Sequence, residues 1–230
     1  MKNQKRIYFF HIRKCGGTSL NKAFIRFYFK KKEKFYYSKI VKNFFKKITN
    51  KQNQTIIGWN KLSINIFKFN YAWSHHSFDD IRIRDKTFKF CIFRDPTDRL
   101  ISWYNEFLNN KDHDAFKKLK HKKIRNIFSF LNLIPKNEIQ SQLYTFSKKY
   151  NLNIAKKNIL KLDKIYFIED IKKYGYKYLI NDFEIKNLKI KHERKSKKIV
   201  KLSNLEKTKI KKYLKCEYQF YNFVKKNFKV

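Results

Sequence analysis

Only four glycines occur in 230 residues, and two of them, Gly16 and Gly17, are adjacent. They follow Arg6-Ile7-Tyr8-Phe9-Phe10-His11-Ile12, a continuous apolar run of the kind that forms a strand buried on both faces. They precede Leu20, Ala23, Phe24 and Phe27, which recur at helical spacing. The order is therefore strand, glycine turn, helix. Glycine supplies backbone conformations that other residues adopt only at a cost. A helix that starts at such a turn leaves its first N–H groups free and its positive dipole end exposed. With Lys14 as a cation and Thr18 and Ser19 as hydroxyl donors, the segment reads as a cradle for a phosphate-like anion. The plainer alternative is an ordinary tight turn. A nucleotide-kinase loop would read GxxxxGK[ST]. Here Lys14 precedes the glycines, so that wiring is missing.

Further strands are expected at Asn70 to Ser74, Thr87 to Phe93 and Lys164 to Ile168. A helix should begin after Arg94, with Asp95 as N-cap, Pro96 at the first helical position and Asp98 in the first turn. Its apolar stripe is Leu100, Ile101, Tyr104, Phe107 and Leu108. Residues 109–160 look mostly helical and basic, and the tail from about Asn204 has helical spacing. Residues 30–55 are lysine-rich and fit no element. Strands alternating with helices predict an α/β fold, a three-layer P-loop-like arrangement with a central, mainly parallel sheet flanked by helices. No repeat and no linker divides the chain, so residues 1–230 read as a single domain.

The charge is unusual. Lys+Arg number 57 against 18 acids, a formal net charge of +39. Such a surface attracts polyanions. Yet 48 of the 57 are lysine, and together with 22 Asn, 27 Ile and 24 Phe they exceed half the chain. All four have A/T-rich codons, so codon bias accounts for much of the composition, though not for the scarcity of acids. Cys15, Cys91 and Cys216 contain no CxxC pair, so neither a disulfide framework nor a zinc site is indicated. No apolar run approaches the length of a membrane span. Together with the missing signal-type leader, this reads as a soluble, cytoplasmic protein.

The segment Phe93-Arg94-Asp95-Pro96-Thr97-Asp98-Arg99-Leu100-Ile101-Ser102-Trp103-Tyr104 is the second motif. Arg94 leaves a core strand at its carboxyl end, where ligands bind in open α/β sheets. Its guanidinium could bind a phosphate or simply pair with Asp95 or Asp98. Taken together, the two motifs resemble the carbohydrate sulfotransferases, the group that includes heparan sulfate 2-O-sulfotransferases and their bacterial relatives. In that family a segment close to H-I-P-K-[TC]-G-G-T-S holds the 5′-phosphosulfate of PAPS (3′-phosphoadenosine 5′-phosphosulfate). Residues His11 to Ser19 match it, with Arg13 where proline is usual. The family's R-D-P-x-x-R-x-x-S-x-Y is matched by Arg94, Asp95, Pro96, Arg99, Ser102 and Tyr104.

The resemblance implies a PAPS-dependent sulfotransferase acting on a hydroxyl of a saccharide or glycan, without a metal. It implies that Lys14, Cys15, Gly16, Gly17, Thr18 and Ser19 hold the 5′ end of the cofactor, and that Arg94 and Ser102 hold its 3′-phosphate. Lys14 would also neutralise charge on the leaving oxygen. A catalytic histidine is implied in Trp73-Ser74-His75-His76, best matched by His75 with His76 as the alternative. An imidazole there could take the proton of an acceptor hydroxyl. Arg194 and Lys195 fall where the family has a late basic loop near the 3′-phosphate. Asn137 to Gln142 falls where an acceptor-side segment is expected. The competing reading is a basic nucleic-acid- or polyanion-binding protein without catalysis, favoured by charge and aromatics but lacking any nucleic-acid motif.

Overall fold

The computed structural model describes residues 6–29, 47–49, 55–66, 68–84, 86–110, 116, 119, 122–185, 187–191 and 200–228. Six strands form one sheet: β1 (Arg6–Phe10), β2 (Lys47–Thr49), β3 (Thr55–Gly58), β4 (Tyr71–Ser74), β5 (Thr87–Phe93) and β6 (Lys164–Phe167). Their spatial order is β2-β3-β4-β1-β5-β6. All neighbours pair in parallel except β2, which runs antiparallel to β3 at one edge. Strand β1 is central, between β4 and β5. Its residues 7 to 10 are fully buried, as a strand covered on both faces requires.

Helices α1 (Gly17–Phe29), α2 (Lys61–Ile66) and α3 (Pro96–Asn109) each follow a strand. Four short helices, α4 (Ile127–Leu131), α5 (Lys136–Ile139), α6 (Ser141–Phe146) and α7 (Leu152–Ile159), lead to β6. After it come α8 (Ile168–Tyr174), α9 (Lys177–Phe183), α10 (Asn204–Tyr213) and α11 (Lys215–Phe228). The α/β fold with a parallel sheet flanked by helices is the one expected. No helix among the described residues is long and apolar enough to cross a membrane.

Two cores are built on this frame. The main one lies on the sheet and is rich in stacked rings. Phe9 stacks on Phe90 at 4.7 Å, and Phe24 of α1 stacks on Tyr71 of β4 at 3.7 Å. The smaller one is helical and gathers Leu100, Tyr104 and Phe107 of α3 with Phe130 of α4, Ile210 of α10 and Leu214. The N-terminus of α3 is capped as the sequence predicts: the Asp95 carboxylate accepts from Asp98 N–H, and Pro96 opens the helix. The expected strand at 6–12 stops at Phe10, because Ile12 already accepts a turn hydrogen bond from Cys15 N–H. The expected strand at 164–168 stops at Phe167, and Ile168 starts a helix. Strands β2 and β3 border or lie within the segment that fitted no element. They are short and lie at the edge, so little periodicity marks them.

Arg99 and Glu217, both fully buried, join the helical layer. The Arg99 guanidinium donates to the carbonyls of Glu138 and Ile139 at the end of α5, and its Nε lies 3.9 Å from Glu217 Oε1. Glu217 in turn accepts from Gln142 N–H (2.9 Å) and Leu143 N–H (3.0 Å) at the start of α6. One ion pair thus ties α3, the α5–α6 junction and α11. Replacing Glu217 with Ala would leave a buried cation and two backbone donors unpaired, a loss of about 3–5 kcal/mol. Replacing both Arg99 and Glu217 with Met should cost clearly less than the single change. Urea unfolding of the three proteins tests this, and a double variant as unstable as the single one would contradict it.

Candidate functional site

The carboxyl ends of the parallel strands lie side by side, because register pairs Gly58 with Trp73, Ser74 with Phe10, Phe10 with Cys91 and Phe93 with Phe167. Along that edge the chain therefore presents, in order, Trp59, His75, the His11–Gly17 turn, Arg94 and Ile168. Chain order reverses about β1, so this edge is a topological switch point, where open α/β sheets bind ligands.

The turn is built by tight packing from inside. Lys14 (φ 66°) and Gly16 (φ 82°) both adopt the left-handed conformation. A Cβ on Gly16 would sit 2.6 Å from Ile168 Cδ1. A Cβ on Gly17 would sit 2.0 Å from His11 Nε2. The glycine pair is thus required by the chain's own neighbours. Gly16 is exposed, and α1 has no acidic residue in its first turn. Thr18 is partly exposed and Ser19 is buried. Cys15 is fully buried. Burial raises its thiol to about 12 although Arg99 and Arg94 oppose this, so it stays protonated. Its backbone N–H closes the turn onto the Ile12 carbonyl (3.4 Å).

The cations gather beside this turn. Lys14 Nζ lies 3.4 Å from Glu106 Oε2 and 5.9 Å from the centre of the Trp103 ring. Arg13 pairs with Glu138 at 3.2 Å, over the same ring. Arg94 donates through NH1 to the Lys14 carbonyl (3.1 Å), which joins the two sequence motifs directly. No ion pair links Arg94 to Asp95 or Asp98. Its Nε is buried and has no partner. Ser102 is buried on α3, two turns on from Arg94, and no hydrogen bond joins the two. Arg194 and Lys195 lie outside the described residues.

Asn137 to Gln142, expected on the acceptor side, contacts the arginines of both motifs. Glu138 pairs with Arg13, the Glu138 and Ile139 carbonyls hold Arg99, and Gln142 Oε1 accepts from Arg94 N–H (3.0 Å). The segment thus braces Arg13, Arg94 and Arg99. Nothing in its polarity distinguishes that use from contact with a substrate.

Three histidines meet between β4 and β1. The His11 ring stacks on Phe9 and lies 4.5 Å from the His75 ring, centre to centre. Tyr71 donates to Asn21 Oδ1 (2.7 Å), which leaves the Asn21 amide nitrogen facing His11 Nδ1 at 3.4 Å. His11 is therefore neutral with its proton on Nε2. Burial, helped by Arg13, lowers its pKa from 6.5 to about 3. His75 Nδ1 faces the His11 carbonyl, an acceptor only, so Nδ1 carries the proton and Nε2 keeps its lone pair. Burial and the neighbouring His11 and Arg13 hold His75 well below the ordinary histidine range. His76 turns the other way and donates through Nε2 to the Trp59 carbonyl (3.2 Å).

The model of the sulfotransferase family matches residues 1–151, about two thirds of the chain. The chain belongs to the sulfotransferase family. The matched part contains the turn, the histidine pair and Arg94. Among solved structures, the chain is similar to a sulfotransferase from Alicyclobacillus acidocaldarius. The identity is 11% and the TM-score 0.41, over 95% of this chain and 92% of that one. No curated protein matches.

Sequence reasoning found the sulfotransferase motifs but missed Trp59, Asn21, Glu106 and Glu169. Glu169 Oε1 accepts from Asp95 N–H (3.2 Å) behind Arg94. These residues act through tertiary neighbours and carry no local signature.

The histidines make stability depend on pH. An unfolded histidine takes its proton near 6.5, but folded His11 does so only near 3. Between those values the unfolded chain binds more protons, so stability falls as pH falls. The slope is about 1.4 kcal/mol per pH unit for each such histidine. Urea midpoints from pH 7 to 4.5 should drop accordingly, and His11→Asn should flatten the curve. A flat curve in the unsubstituted protein would contradict the buried neutral state.

Proposed function

We propose that this sulfotransferase uses PAPS as donor and transfers its sulfuryl group to a hydroxyl of a saccharide or glycan, with His75 as general base. The observation that carries the reading is the arrangement along the strand edge. A helix N-terminus with an exposed glycine, a lysine, and an arginine with a buried, unpartnered Nε lie on one side of His75. That orphaned donor is what a phosphate oxygen would satisfy, and the residues present therefore fit the cofactor. Gly16, Gly17, Thr18 and Ser19 would hold the 5′ end, and Arg94 and Ser102 the 3′-phosphate. When bound, the cofactor supplies the activated sulfuryl group.

The rest is work for the chain. Lys14 offers positive charge where it builds on the leaving oxygen. It must first exchange Glu106 for that oxygen, a swap between two anionic partners. His75 Nε2 accepts the proton of the acceptor hydroxyl, while Nδ1 stays fixed on the His11 carbonyl. The lowered pKa keeps His75 unprotonated at neutral pH, which a base requires. His76 is the weaker choice, because its Nε2 is committed to Trp59. Cys15 contributes at most through its backbone, its thiol being buried and protonated. Sulfuryl transfer depends mainly on positioning and charge stabilisation, as phosphoryl transfer does. A cytoplasmic location belongs to the same reading.

PAP, the desulfated product, should raise the melting temperature far more than ADP or 5′-AMP at moderate salt, and Arg94→Ala should abolish the difference. Equal effects of PAP and ADP would overturn the 3′-phosphate assignment. His75→Ala should lower kcat by about 10²–10⁴-fold while PAP affinity stays the same. Because His75 is held neutral, kcat/KM should not fall between pH 7.5 and 6.5; a decline with a midpoint near 6.5 would remove His75 as the base.

A further inference from the structure

Among the described residues two aromatics, Trp59 and Tyr150, have a positive φ, and Trp59 stands beside the candidate base. Its φ is 67°, and Asn60 N–H bonds to the Gly58 carbonyl across it at 2.8 Å. This is a three-residue turn of the rare, strained form. The strain is held from every side. Trp59 N–H donates to the Trp73 carbonyl (3.1 Å), its own carbonyl accepts from His76, and Asn60 caps Ser63 N–H at the start of α2. A Cβ on Gly58 would meet the Trp73 ring at 2.4 Å, so the approach to the turn is fixed as well. Strain that is over-determined in this way tends to lie at functional sites.

The place of Trp59 narrows its use. The cations and the N-terminus of α1 lie on the β1–β5 side of His75. Trp59 lies on the other side, at the end of β3, and its ring meets His75 edge to face at 4.3 Å. A group accepting sulfuryl must reach His75 from the side that the donor leaves open. The Trp59 ring is only half-buried. Trp59 packs against the main core, with the His75 and His11 rings beside it and His76 bonded to its carbonyl. A flat aromatic face rimmed by hydrogen-bonding groups suits a ligand with an apolar face and polar edges. A pyranose ring has that form, with axial C–H bonds on one face and hydroxyls around it. A wholly apolar acceptor would need an apolar rim.

We infer that Trp59 is the platform on which a pyranose ring of the acceptor stacks, next to the ring whose hydroxyl His75 deprotonates. This rests on the proposed sulfotransfer to a saccharide and adds the subsite that orients it.

The test uses the full chain labelled with 5-fluorotryptophan. Its three tryptophans give three fluorine resonances, and Trp59→Phe assigns one of them. Trp103 lies under Lys14 and Arg13 and reports on PAP, whereas fully buried Trp73 is the control for folding. PAP is added first, then cellohexaose, chitohexaose or unsulfated chondroitin hexasaccharide. The expected result is that PAP moves Trp103 and at least one saccharide then moves Trp59 but not Trp73. In Trp59→Gly, which suits the left-handed turn, that saccharide should bind at least tenfold more weakly while PAP affinity and the Trp73 resonance are unchanged. If PAP moves Trp103 and no saccharide moves Trp59, or if Trp59→Gly binds saccharide as well as the unsubstituted protein, the platform is wrong and the donor site stands. If PAP itself has no effect, the donor reading on which the platform rests fails first.

Discussion

The His11 imidazole fills the space that a side chain at residue 17 would need, and the geometry of the site follows from that contact. Because His11 Nε2 sits against the Gly17 backbone, α1 can begin directly beside the end of β1. The ring is held there by Phe9 below, by Asn21 through its Nδ1, and by His75 alongside. Its carbonyl orients His75. One buried, neutral histidine thus sets the start of α1 and the tautomer of the candidate base. That is a structural use of the first residue of a motif otherwise read for its cofactor contacts.

The second organising element is the brace behind Arg94. Gln142 holds its backbone N–H, the Lys14 carbonyl holds one end of its guanidinium, and Glu169 holds the following N–H. Gln142 is itself held by Glu217, and Glu217 by Arg99. The position of Arg94 therefore depends on α6, α8 and α11, elements 48 to 123 residues away in sequence. Buried ion pairs add little net stability, but they specify one arrangement where apolar contacts would tolerate several. Here the specified arrangement is the one that leaves Arg94 Nε unpartnered.

Charge works at two ranges. The surplus of lysine gives the whole chain an attraction for anions that salt would screen. At the site itself the cations are few and are held in place: Lys14 by Glu106, Arg13 by Glu138, both over Trp103. Each of these cations is already paired with a carboxylate and fixed in place by it.

Much of the fold and half of the site could be read directly from residue order. The apolar runs of β1 and β5, the glycine turn, and the Asp95-Pro96 cap are local features, and each encodes its own element through backbone conformation and capping. They also carried the family resemblance. His75 and His76 have the same neighbours in sequence; only the His11 and Trp59 carbonyls, brought in by β1 and β3, separate their tautomers. The need for glycine at position 17, the bracing role of residues 137–142 and the strained Trp59 turn were likewise decided by tertiary structure. Each depends on a partner from another strand or helix, and a linear pattern holds no information about which side chain will fill the space across a sheet.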